Sequence, residues 1–234
     1  MIQGLAQGGV GTEIELTPED VAKLQRAVRR AYSPGVIKAT VTAHLRKHLN
    51  ESQAKSVLNW LESPVGRKIT ALEIESSKPE VQAEFDAFAA NFAQLDIPKE
   101  KITLIRQLEM STNAIDSATD IALNMAKVGA AAALAASPKD DLNSLPHVMS
   151  QLEQTRPIIR DQLKLFILVS MLHTYHTLTI EEMSRCVEFA QTESGLAFNR
   201  EGLEGLKKAL KDAGFHFGKS LGEVLNKQLS RKRL

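Results

Sequence analysis

LNESQAKSVLNWLESPVGRKI, Leu49 to Ile69, contains two helix starts and the corner between them. Asn50 stands ahead of an apolar stripe with Gln53 three residues on. An Asn side chain can accept the N–H of the third helical residue while Gln reaches back to the cap's own N–H. Ala54, Val57, Leu58 and Leu61 then recur at helical spacing toward a core, with Trp60 on an adjoining edge. Ser63-Pro64 ends that helix and opens the next, because a proline at the first helical position gives up an N–H that has no partner anyway. Gly66 follows as the third residue of the second helix, where a missing Cβ lets the preceding helix pack against bare backbone.

The same punctuation runs outward in both directions. Thr17-Pro18 with Asp20 opens a helix whose stripe is Val21, Leu24, Val28 and Ala31, and Ser33-Pro34 opens another with Ile37, Val41, Leu45 and Leu49 on one face. Downstream, Val65, Ile69, Leu72 and Ile74 point inward, and Pro79 begins a helix whose Val81, Phe85, Phe88 and Phe92 supply aromatic core. The stretch from Ile102 to Ala136 reads as one helix rich in small residues, with Asp116, Asp120 and Lys127 on its polar face. Ser137-Pro138 with Asp140 and Asp141 is a further cap, Ser144-Leu145-Pro146 an interruption, and helices resume from Pro157. No segment alternates with period two, and no Asn-Gly or Asp-Gly hairpin signal occurs. The fold class is all-α.

The 234 residues, 43% hydrophobic and 24% charged, suffice for a packed core without a covalent staple. A net charge of +1 gives no one-sign field to attract nucleic acid or anionic membrane. The basic stretches Arg29-Arg30 and C-terminal Ser230 to Leu234 are short and lack stacking aromatics, so nucleic acid is not expected as a partner. The longest apolar runs, Val128 to Ala136 and Phe166 to Leu172, are too short to span a bilayer. Cys186 is the single cysteine and falls in an apolar stripe, which predicts a buried thiol. Residues 1–16 show neither the basic start nor the apolar segment of a signal peptide.

Self-similarity appears at an offset of 129 residues, which brings Gly66 onto Gly195. Asn50 then meets Thr179, and Ala54, Val57, Leu58 and Leu61 meet Met183, Cys186, Val187 and Ala190. Trp60 meets Phe189, Ser63 meets Thr192, Phe88 meets Phe217 and His44 meets His173. The match is one of residue class and capping rather than of identities. It predicts two diverged copies of a multi-helix unit joined by a central Ala-rich helix. The units are a flexible segment 1–16, a first repeat 17–95, a central linker 96–145, a second repeat 146–230 and a basic tail 231–234.

The capped helix, its late aromatic and the Ser-Pro-x-Gly turn with a following basic residue, here Trp60, Ser63, Pro64, Gly66 and Lys68, resemble the signature of bacterial domain-of-unknown-function family 2059. Leu61 stands where a second aromatic would be expected, and the second copy has Glu193 for the proline and Ala197 for the lysine. The resemblance implies a helical protein of the Gram-negative envelope, periplasmic or secreted, and carries over no catalytic residue.

Two histidine pairs offer metal-ligand spacing: His44 and His48, four apart, and His173 and His176, three apart, each able to present two imidazoles on one helix face. Histidines in a last helical turn also favour the carbonyl end of the dipole without any metal. The acid pairs Glu73 with Glu75 and Asp140 with Asp141 read as solvated groups. No phosphate loop, nucleophile elbow or His-Glu-x-x-His run is present, so no catalytic residue and no cofactor is expected. The functional expectation is an interaction or ligand-binding module of the envelope, taking a partner protein or an apolar small molecule. A metal-binding protein or metal-dependent enzyme using the paired histidines is the alternative.

Overall fold

The computed structural model describes residues 17–135 and 144–231, and every regular element among them is helical. In chain order these are α1 (Pro18–Ala31), α2 (Pro34–His48), α3 (Glu51–Glu62), α4 (Pro64–Ser76), α5 (Gln82–Asn91), α6 (Lys99–Thr112), α7 (Ala114–Ala135), α8 (Leu145–Gln154), α9 (Arg156–Thr174), α10 (Ile180–Gln191) and α11 (Glu193–Arg231). Single 3-10 turns, Pro79–Val81 and Phe92–Gln94, flank α5. The N-terminal segment 1–16, the tail beyond Arg231 and the cap expected at Ser137-Pro138 lie outside the described residues.

Side-chain caps set the helix starts. Thr17 with Asp20, Asn50 with Gln53, and Thr179 with Glu182 each form a reciprocal capping box. Each box satisfies N–H groups that the first helical turn leaves without a partner. Ser33 caps α2 by accepting from the Val36 N–H.

Two corners have matching geometry. At the first, the Ser63 hydroxyl donates to the Trp60 carbonyl at 2.6 Å and accepts from the Gly66 N–H at 3.0 Å. At the second, the Thr192 hydroxyl donates to the Phe189 carbonyl at 2.7 Å and accepts from the Gly195 N–H at 3.0 Å. A Cβ on Gly66 would stand 2.0 Å from the Trp60 carbonyl oxygen, and one on Gly195 would stand 2.0 Å from that of Phe189. Trp60 and Phe189 then stack on one another, ring centroids 4.7 Å apart and planes within 10°. The N3 residues of the second and third boxes each reach the opposite corner: Gln53 donates to Glu193, and Glu182 pairs with Lys68 at 2.7 Å.

The main core gathers Val65 and Ile69 of α4, Ile105 and Leu108 of α6, Leu172 of α9, and Met183, Cys186, Val187 and Ala190 of α10. The long α11 lies against α1, α2, α3 and α7. Where it crosses α2, Gly205 permits the approach, since a Cβ there would meet the Val41 Cα and the His44 Cβ at 3.1 Å.

Some expectations are corrected. The helix read as continuous from Ile102 breaks at Asn113, whose left-handed backbone (φ 52°) ends α6 and is tolerated because Asn adopts that region more readily than most residues. Leu58, placed in the core by its spacing, is 56% exposed, whereas its counterpart Val187 is 4% exposed. The difference lies in the neighbours: α6 covers α10, while α3 packs chiefly on α4 and α11 and leaves the Leu58 side open. Ile74 near the end of α4 is likewise exposed, and Phe85, Phe88 and Phe92 are half-buried rather than central.

The polar face of α7 is paired. Asp120 takes the Arg156 guanidinium at 2.6 Å and the Lys207 ammonium at 2.9 Å, and the Arg160 guanidinium reaches Asp116. Lys127 and Arg156 share Glu153. Together these pairs connect α7 to α8, α9 and α11, and they hold the carboxyls of Asp120 and Glu153 below their usual range.

Gly66→Ala and Gly195→Ala are each expected to cost about 3 kcal/mol, the upper end of ordinary overpacking, since the clash is with backbone that cannot rotate away. Gly129→Ala in α7, where a Cβ meets nothing within 4 Å, is expected to gain about 0.5–1 kcal/mol from helix propensity. Urea denaturation of the three variants measures both signs.

Candidate functional site

A pocket of about 260 Å³ opens between the two corners. Trp60, Gly66 and Phe189 line it, joined by Ile69, Leu108, Met171 and Phe198 to give a largely apolar wall. Thr70, Thr112 and Asn199 add polar groups to the wall, and one polar pair spans it. The buried Tyr175 hydroxyl donates to the Glu73 carboxylate at 2.7 Å, and both residues line the pocket.

Glu73 is exposed by side-chain area, yet its carboxyl is turned onto Tyr175 and loses water there. Desolvation raises its pKa above the usual carboxylate value, with the tyrosine hydrogen bond pulling the other way. Burial, with the facing Glu73 charge, pushes the Tyr175 hydroxyl far above its ordinary value. Cys186 also lines the pocket. Burial pushes its thiol up to about 12, so it stands there as a small apolar group rather than a nucleophile. Glu73 is exposed, as expected of a solvated acid, but Tyr175 engages its carboxylate, whereas Glu75 pairs with the exposed Lys78. A sequence signal for Glu73 existed: Gly66, Ile69, Thr70 and Glu73 share one helix face, so the acid continues a stripe that enters the core.

The histidine pairs diverge. His44 and His48 stack with centroids 4.2 Å apart, and Glu201 of α11 meets both, its Oε2 lying 3.0 Å from His44 Nε2 and 3.7 Å from His48 Nδ1. Glu201 was not singled out from the sequence, because it lies 157 positions from His44 and only the packing of α11 on α2 joins them. The second pair gathers no third ligand among the described residues. His173 is buried with Phe85 and Phe88 edge-on to its ring, its Nε2 has no hydrogen bond, and the nearest carboxylate, Glu84, stays 3.8 Å away. Burial lowers its pKa, which keeps the ring neutral. His176 Nδ1 turns to the His173 carbonyl at 2.7 Å.

Ser63 and Pro64 do not line the pocket but build the corner that brings Trp60 and Gly66 to it. That corner lies inside a segment with known relatives. Residues 36–94 match the family model described as an uncharacterized protein conserved in bacteria, DUF2059. The match takes in α3, the Ser63 corner, α4 and α5. No curated protein and no solved structure matches the chain.

Glu73→Gln keeps an acceptor for Tyr175 and removes the titration. A pKa raised in the folded state stabilises the wild type below the unfolded value, and that contribution is lost as pH rises through the raised one. The stability of wild type relative to Glu73→Gln is therefore expected to grow as pH falls through this window. At neutral pH the variant should equal or exceed wild type by less than about 1 kcal/mol, since solvent screens so exposed a residue. Parallel urea titrations at several pH values measure the difference.

Proposed function

We propose that this chain is a ligand-binding helical module of the bacterial cell envelope, with no catalytic role, in which two diverged copies of one helical unit enclose a binding pocket at their junction. One observation carries the reading: the pocket forms where the two corners meet, and both stacked rings, Trp60 and Phe189, line it. A purely structural contact between two such corners would be expected to close. Here the contact leaves about 260 Å³, near the lower limit for sites that take small organic molecules. The envelope location rests on the family resemblance over residues 36–94 and on nothing in the geometry. Among the described residues no helix is long and apolar enough to cross a membrane.

The lining selects the ligand class. Apolar walls favour an aromatic or short aliphatic body, and Glu73 supplies one acceptor for a hydroxyl or amino group. A molecule of one or two rings fits the volume, given that a cavity near 150 Å³ already accepts benzene.

Trp60 is the only tryptophan of the chain, so its emission reports on the pocket alone. Titration with 2-naphthol, two fused rings bearing one hydroxyl, is expected to quench Trp60 saturably with one-to-one stoichiometry. Thr70→Leu, which puts a bulkier side chain on the wall and into the cavity, should weaken binding at least about tenfold, or roughly 1.4 kcal/mol. A linear, non-saturating response identical in the two proteins counts against the pocket as a binding site.

A further inference from the structure

We propose that His44, His48 and Glu201 form a site for one divalent transition-metal ion of the zinc type, separate from the pocket and resting on none of its evidence. The three residues come from two helices that pack side by side, α2 giving both imidazoles from one face and α11 the carboxylate. Their ligand atoms all lie within 4.8 Å of one another. A tetrahedral ion with bonds of about 2.0–2.2 Å holds its ligand atoms about 3.3–3.6 Å apart. The separations from Glu201 Oε2, 3.0 Å to His44 and 3.7 Å to His48, straddle that range; the two imidazoles stack with planes within 14°, so loading the ion requires the rings to turn until both in-plane lone pairs face it.

The surroundings suit such a centre. The side chains of His44 and Glu201 are 18% and 13% exposed, which reduces competition from water, while His48 at 40% leaves a side open for a fourth, solvent-derived ligand. Arg200 donates to Glu201 Oε1 at 2.8 Å and orients the carboxylate with Oε2 toward the imidazoles. Gly205, one turn beyond Glu201, sets the close approach of α11 to α2 that the cluster needs. Two imidazoles with one carboxylate favour Zn²⁺, Co²⁺, Ni²⁺ or Cu²⁺ over Mg²⁺ and Ca²⁺, which prefer all-oxygen shells. The competing account is a simple hydrogen bond between His44 and Glu201 without metal, and titration distinguishes the two.

The test uses the untagged full-length chain. Co²⁺ chloride is expected to bind saturably at one equivalent and to develop the visible absorption of a tetrahedral ion, which Zn²⁺ chloride then abolishes by displacement. Calorimetry with Zn²⁺ is expected to show His48→Ala and Glu201→Gln each weakening binding at least about tenfold, with His173→Ala unchanged. His48 is exposed, so circular dichroism of His48→Ala should match wild type and a lost ion cannot be ascribed to unfolding. Absence of saturable binding, equal affinity in every variant, or dependence on His173 would each overturn the proposal. A failed metal titration leaves the 2-naphthol result untouched, and the reverse holds as well.

Discussion

At each of the two corners a helix carbonyl lies where a side chain would otherwise begin. The Trp60 carbonyl occupies the space of a Cβ on Gly66, and the Phe189 carbonyl does the same at Gly195. Such an approach is tolerable only because one hydroxyl serves both helices, accepting from the glycine N–H and donating to that same carbonyl. Backbone polar groups buried at a junction must find partners, and here Ser63 and Thr192 provide them. The result is a pair of rigid elbows, each presenting an aromatic ring just before the bend. The stacked rings and the pocket beside them follow from this.

Capping chemistry is local, which explains why so much of the helix order was readable. Thr17, Ser33, Asn50, Ser63 and Thr179 each accept an N–H three residues on, and a span so short leaves little for the tertiary fold to override. The glycine at each corner was also readable, as a small residue at a fixed place after a cap. Burial was harder to read. Leu58 and Val187 align at the 129-residue offset, and only the second is covered, because α6 lies over α10. A stripe shows which face is apolar, but another helix must arrive to bury it. The break at Asn113 escaped notice for a different reason: Asn is compatible with a helix interior and also with the left-handed backbone that ends one.

The candidate sites were legible only in halves. Trp60, Gly66 and Phe189 were picked out as structural residues, and they line the pocket. The hydrogen-bonded pair in it, Glu73 and Tyr175, lies 102 positions apart in the chain and has no motif in common. The exposure of Glu73 follows from an acid on an ordinary helix face, but its bond to Tyr175 has no sequence signature. Its carboxyl is partly dehydrated by the packing that buries Tyr175 beside it.

The two histidine pairs show how far a motif alone can take an inference. At the offset that aligns the corners, His44 and His173 occupy matching positions, and each has a second histidine near by. Their surroundings differ in how close a carboxylate comes and in what else packs on the ring. His44 faces the carboxylate of Glu201, whereas the position matching Glu201 in the first half is Leu72, and His173 meets the rings of Phe85 and Phe88. A close carboxylate can share an ion with the imidazole, while at His173 desolvation favours the neutral ring. Spacing along one helix therefore specifies only that two imidazoles can converge. What they converge on is decided by the residue that the neighbouring helix delivers, and that depends on how closely the helices approach. At His44 the approach is set by Gly205, a residue with no ligand chemistry of its own.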